Sequence, residues 1–219
     1  MSSRDEILNR LRQQSRDADP PQPWLSRRHF DDPAGRFIET LNANKGEAHR
    51  AGSLEEAFSL VGDVLRETGA QKAIADGHPV LEDANLPGRW PKIEWFIAGH
   101  SARDLSQSDL SQSDLREFAA AADVGLSIAT AALAETGTVV VATDSRNSRL
   151  TGLLPPVHIV LALATHLSTD LFTWTALRPD ILPSSVTLIS GPSKTADIEQ
   201  TMAVGVHGPG RFIVVLYDA

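Results

Sequence analysis

Apolar residues recur at helical spacing in three places in the first half of the chain. The clearest is SLEEAFSLVGDVLRET, residues 53–68, where Leu54, Ala57, Phe58, Val61 and Leu65 form one stripe. Ser53 and Glu56 fit a capping box ahead of it and Gly69 closes it, so one helix is predicted. Residues 3–14 repeat the pattern on a smaller scale. Ile7, Leu8 and Leu11 share a face, with Ser3 and Glu6 spaced as a capping box. Phe37, Ile38 and Leu41 suggest a further helical segment. Between the first two lies DADPPQPW, residues 17–24, whose three prolines forbid helix and favour extended chain. Residues 1–24 therefore read as an N-terminal helical arm on a Pro-rich linker, which either docks on a partner or packs on its parent domain. Residues 25–219 read as one α/β domain.

The pattern then changes towards strands. Lys72–Ala75 and Ile93–Ala98 are short strand candidates, and 157–164 is a continuous apolar run of the kind buried on both faces of a sheet. Residues 124–143, VGLSIATAALAETGTVVVAT, predict a strand, a short helical turn, a bend at Glu-Thr-Gly and a second strand. Leu167–Leu177 reads as helix, and Val186–Ile189 and Phe212–Tyr217 as strands. A five-residue unit, LSQSD, stands in tandem within 104–115. Its period matches neither helix nor strand, so it predicts a surface loop, followed by a helix over Asp114–Ala122 with an aspartate placed to cap it. Strands alternating with helices predict a three-layer α/β fold with a largely parallel sheet flanked by helices.

Composition narrows the function more than the fold. The 219 residues carry a formal charge of −8, and no Lys/Arg run is interleaved with aromatics, so no nucleic-acid footprint is present. The acidic balance also disfavours anionic membrane surfaces. The longest apolar run is far shorter than the roughly 20 residues a membrane-spanning helix needs. MSSRDEILNRLRQQ is charged throughout and lacks a signal-peptide core, so the expected location is cytoplasmic. The chain has no cysteine. Disulfides, thiolate zinc sites, cysteine nucleophiles and a self-ligated iron–sulfur cluster of the usual kind are thereby excluded.

Three loops carry candidate chemistry. In ALAETGTVVV, Glu135 stands at a bend with Gly137 available for a backbone twist. A carboxylate there can act as base, nucleophile or cation ligand, or it can simply accept backbone N–H groups and fix the bend. In LISGPSKTADIE, Ser190 to Ser193 predict a tight turn into a helix capped by Ser193, with N–H groups that suit an anion. Lys194 supports that reading; Asp197 and Glu199 oppose it by repelling a phosphate. In GVHGPG, His207 lies in a glycine-flanked bend before the last strand, as a proton carrier or as a turn residue. His158, heading the buried apolar run, ranks below it as a satisfied core residue. No HExxH-like spacing links these groups, so a metal site would have to be assembled by the fold, and none is expected. Ser193 is not in a GxSxG elbow, so a serine hydrolase is not indicated.

Taken in order, ALAETGTVVV, LLPPVHIVL, LISGPSKTADIE and GVHGPG resemble the LUD-domain family, in particular its lactate-utilization protein C branch. The resemblance covers about residues 120 to 217 closely and the first half more loosely. It implies a sheet architecture related to the NagB/RpiA/CoA-transferase-like fold. It also implies a part in oxidising L-lactate to pyruvate, as an accessory component beside iron–sulfur partner proteins, with no cofactor of its own. The positions matching the family signature are Glu135, Thr136 and Gly137, then Ser190, Gly191, Ser193, Thr195, Asp197 and Glu199, then His207 and Gly208. In the related transferases a glutamate near a glycine turn attacks CoA thioesters. Glu135 invites that comparison, although the glycine pattern after it differs. The resemblance thus implies Glu135 and His207 as catalytic candidates and the remaining positions as a pocket for a small anionic ligand. The alternative function is a small-molecule enzyme or ligand-binding module using Glu135. Whether the chain forms an oligomer stays open.

Overall fold

The computed structural model describes residues 3–13, 24–98, 112–144, 146–176, 183–196 and 202–219. The strands of its main sheet are β1 (Glu47–Ala51), β2 (Lys72–Ala75), β3 (Glu94–Ile97), β4 (Val124–Ile128), β7 (Val157–Leu163) and β12 (Arg211–Tyr217). Among the described residues they form a six-stranded sheet, ordered β1-β12-β7-β4-β2-β3, in which every pairing is parallel. β7 and β12 are interior neighbours in it, and their apolar side chains alternate between two cores, as a strand covered on both faces requires.

On one face, Val157, Ile159, Leu161, Ile213 and Val215 pack against α3 (Leu54–Glu67) through Ala57, Phe58, Val61 and Leu65. Ser53 caps that helix by accepting a hydrogen bond from the Glu56 amide, as its sequence predicts. The same core takes in Leu81 of α4 (Pro79–Asp83) and Leu86 of α5 (Leu86–Arg89).

On the other face, Val160, Ala162, Phe212, Val214 and Leu216 meet Phe37 and Leu41 of α2 (Pro33–Ala43). They also meet a smaller sheet of four strands, ordered β8-β5-β6-β9. These are β5 (Ala131–Leu133), β6 (Thr138–Thr143), β8 (Leu167–Ser168) and β9 (Ser185–Ile189). Further along this face, Ile74 packs against Ala119 and Ala122, at the end of α6 (Gln112–Ala121), near Leu150 of α7 (Arg149–Leu153). The result is three layers, with the parallel sheet in the middle.

Four expectations are corrected. Residues 131–133 are strand rather than a helical turn, because Ala131, Ala132 and Leu133 pair antiparallel with Val140, Val139 and Thr138. Helix in the 167–177 stretch covers Leu171–Ala176 (α8), because Asp170 accepts from the Thr173 amide at 2.8 Å and Leu167 and Ser168 pair with β5. Leu177 lies outside the described residues. Ser193 leads into β10 (Lys194–Ala196), not a helix, and β10 pairs antiparallel with β11 (Met202–Val204). α6 starts at Gln112, so Asp114 falls inside its first turn and the last four residues of the LSQSD tract are helical. The rest of that tract, and most of the 17–24 linker, lies outside the described residues. The amino-terminal helix, α1 (Ser3–Gln13), buries none of its residues; Ile7 and Leu11 are 59% and 60% exposed.

Candidate functional site

The Glu-Thr-Gly bend joins β5 to β6 over the end of α2. Gly137 has φ of +60°, and a Cβ there would stand 2.4 Å from the Leu41 backbone nitrogen. Both facts demand glycine. Asn44, the residue that closes α2, gathers several signature positions. Its side-chain amide donates to the Thr136 carbonyl at 3.2 Å, and its own carbonyl accepts from the Lys194 ammonium. A Cβ on Gly191, whose φ is +148°, would lie 2.7 Å from that same carbonyl oxygen. A chain of hydroxyls then ties the bend to the first Gly-Pro turn: Thr136 to Thr138 at 2.6 Å and Thr138 to Ser190 at 2.7 Å.

The two Gly-Pro turns also meet each other. The Ser193 amide donates to the Pro209 carbonyl at 2.9 Å, and the Gly205 amide donates to the Ser193 carbonyl at 2.9 Å. Gly208 sits against the Ser193 side chain, and Thr195 is held in the β10–β11 ladder opposite Ala203. Thr136, Gly137, Ser190 and Gly191 are therefore one group and Ser193 and Gly208 an adjoining one. The two catalytic candidates point elsewhere. Glu135 donates its amide to the Thr169 carbonyl at 2.9 Å, and its carboxylate pairs with the Arg28 guanidinium. His207 is exposed in the turn before β12. Asp197 and Glu199 lie outside the described residues.

A second polar region, unforeseen except for His158, occupies the carboxyl ends of β2 and β4. Asp76 follows β2 directly and is 1% exposed; its amide donates to the Leu126 carbonyl of β4 at 3.0 Å. Burial raises its carboxyl to about 7, against the opposing pull of the Thr151 and Ser127 hydroxyls and the Ser148 backbone. Those hydroxyls do not close a hydrogen bond onto its Oδ1, which has no partner among the described residues. Ser127 instead shares a hydrogen bond of 3.0 Å with His158 Nε2. Burial lowers the His158 imidazole to about 4, which keeps it neutral near pH 7, and its Nδ1 is unpartnered. Beside this pair lies a cavity of about 20 Å3, room for one water, bounded by Ser148, Arg149 and Gly152.

Outside it opens a cleft of about 520 Å3 between Ala98, Leu115 and Arg116 on one side and Thr143, Arg146 and Ser148 on the other. His78 stands nearby, its affinity for a proton lowered by burial first and then by Arg146 and His166, against Asp144 and Glu82. An acid that titrates near neutrality at such a place can give or take a proton. The sequence signal was slight: a polar Asp-Gly-His immediately after the short apolar run Lys72–Ala75.

Comparison with known proteins fits this architecture. A family model described as the LUD domain matches residues 34–217. The chain belongs to the LUD-domain family. A protein of Halalkalibacterium halodurans named lactate utilization protein C is 40% identical over 206 residues, covering 89% of this chain and 84% of that one. Lactate utilization protein C 1 of Bacillus mycoides is 38% identical over 108 residues, which covers 47% of this chain and 46% of the relative. The LUD-family chain thus matches about half of the Bacillus protein and most of the Halalkalibacterium one. A crystal structure of a DUF162 family protein from Deinococcus radiodurans superposes with a TM-score of 0.50 at 17% identity, covering 84% of this chain and 96% of that one. At that identity the likeness concerns the fold.

Proposed function

We propose that this LUD-family chain is a component of L-lactate utilisation, acting in the oxidation of lactate to pyruvate. The observation that carries the reading is the 40% identity, across 89% of the chain, with a protein named lactate utilization protein C. Oxidising lactate to pyruvate releases two electrons and two protons. A chain without cysteine offers no thiolates to hold an iron–sulfur cluster. In this reading the electrons leave through clusters carried by partner proteins, and the chain serves as an accessory subunit in the cytoplasm. Among the described residues no helix is long and apolar enough to cross a membrane, which fits that placement. The test is deletion of this chain in its host. L-lactate-dependent growth and dye reduction should fail, return when the chain is supplied, and the tagged chain should co-purify with iron–sulfur proteins. Intact lactate oxidation without the chain overturns the proposal.

A second reading is favoured by the gathering of Thr136, Gly137, Ser190 and Gly191 around Asn44. In it, these residues with Ser193, Thr195, Asp197, Glu199 and Gly208 bind a small anionic molecule, and Glu135 is base or nucleophile with His207 assisting. Glu135→Gln should then abolish turnover while thermal stability stays nearly unchanged; retained turnover removes Glu135 from the chemistry.

A further inference from the structure

The order of the main sheet contains a reversal. From β2 the chain passes through α4 and α5, on one face, to its neighbour β3. From β3 it returns through α6, on the opposite face, to β4 on the other side of β2. The chain thus leaves β2 towards one face, and it leaves β4 towards the other through β5, β6 and α7. Such divergence opens a crevice at the carboxyl ends of β2 and β4, and switch points of this kind are where open α/β sheets receive ligands. Asp76 marks this spot, bridging the two strands through its amide.

The cleft there has a charge opposite to that of the whole molecule. Among the described residues Arg116, Arg146 and Arg149 line it against one carboxylate, Asp144, a net of two positive charges in a chain of formal charge −8. Asp144 is already engaged: its Oδ1 accepts the Arg146 and Asn147 amides at 2.7 and 2.9 Å, fixing the loop that carries two of the arginines. Among the described residues none of the three arginines has an ion-pair partner. Arginines elsewhere in the fold do, as Arg89 with Glu55 and Arg211 with Glu47 and Glu67 show. Unpaired guanidinium groups lining a concave site are what phosphate and carboxylate recognition uses.

We propose that this cleft binds a small organic dianion, a phosphate ester or dicarboxylate, through Arg116, Arg146 and Arg149. The cleft is separate from the cluster around Asn44 and its charge is independent of the lactate reading; a monocarboxylate such as lactate would leave one of its two net positive charges uncompensated. The Ser148 hydroxyl and the Asn147 side-chain NH2 group supply neutral donors at the rim, and Gly77 lets the end of β2 approach two lining residues, Ala98 and Arg146. A Cβ on Gly77 would stand 2.0 Å from the Ala98 carbonyl oxygen.

The experiment is titration calorimetry of the full chain with inorganic phosphate, malonate and L-lactate at one fixed ionic strength. Phosphate or malonate should bind more tightly than L-lactate, and whichever leads identifies the headgroup. In the double variant Arg146→Gln/Arg149→Gln that affinity should fall at least about tenfold, the effect of losing a hydrogen bond to a charged group. Arg66→Gln, on α3 across the sheet, should leave it unchanged. Arg116→Glu, on the exposed side of α6, should weaken binding similarly and keeps the test answerable should the double variant not fold. Absence of binding by either dianion, L-lactate binding as tightly as they do, or equal weakening in Arg66→Gln overturns the proposal.

Discussion

Substituting Asp76 by Asn should change how stability depends on pH, and His158→Gln should change it in the opposite sense. Asp76 binds its proton up to about pH 7 in the native state, against an ordinary aspartate value of 3.8. Between those values the folded chain holds a proton the unfolded chain has lost, so stability falls as pH rises through that window. At about 1.4 kcal/mol per pH unit the fall amounts to roughly 4 kcal/mol. His158 works the other way. Its ordinary value is 6.5 and its native value about 4, so the unfolded state takes up the extra proton and stability falls as pH drops from 6.5 to 4. By the same conversion this is roughly 3 kcal/mol.

In the native sequence the two slopes oppose each other between pH 4 and 6.5, leaving Asp76 alone to act just below 7. Removing either group should expose the other. Urea denaturation at pH 4.5 to 8, followed by tryptophan fluorescence, reads the profiles directly. Asp76→Asn should lose stability on acidification relative to the parent; His158→Gln should lose it on going from pH 4.5 to 7. The remaining titrating groups are common to all three chains, so only differences between profiles matter. Parallel profiles for the parent and Asp76→Asn would refute the buried acid, and with it the assignment of a near-neutral proton site at this crevice.

Other substitutions probe the frame around it. Gly125→Ala puts a Cβ 1.9 Å from the Thr151 carbonyl oxygen, between β4 and α7, and should cost about 3 kcal/mol by chemical denaturation. Gly137→Ala combines a left-handed φ with a 2.4 Å approach to the Leu41 nitrogen and should cost a comparable free energy, read as a lowered melting temperature. Arg28→Ala removes a pair whose side chains are 52% and 28% exposed, and the stability change should be under about 1 kcal/mol and shrink further in high salt.

Much of the frame is legible in the sequence because its signals are local. The stripe in residues 53–68 carries its own cap, and β7 reads as an apolar run broken only by His158. The misread pieces depend on partners far along the chain. Ala131–Leu133 is rich in alanine, a good helix former, and becomes strand only because β6 returns beside it. Lys194–Ala196 follows a serine suited to cap a helix, yet pairs with Met202–Val204. β1, Glu-Ala-His-Arg-Ala, is an edge strand with little apolar pattern to announce it. The signature loops were recognisable by residue type, and their gathering around Asn44 is a property of the folded chain alone. Asp76 was invisible for a related reason: an aspartate after a short strand is common, and only the strand order shows that it stands at a switch point.

The most direct test of the functional reading is L-lactate-dependent dye reduction in extracts of the deletion host, with and without the purified chain added back. The account predicts no lactate-dependent reduction without the chain and recovery in proportion to the amount added. Full activity in the extract lacking it would contradict the account.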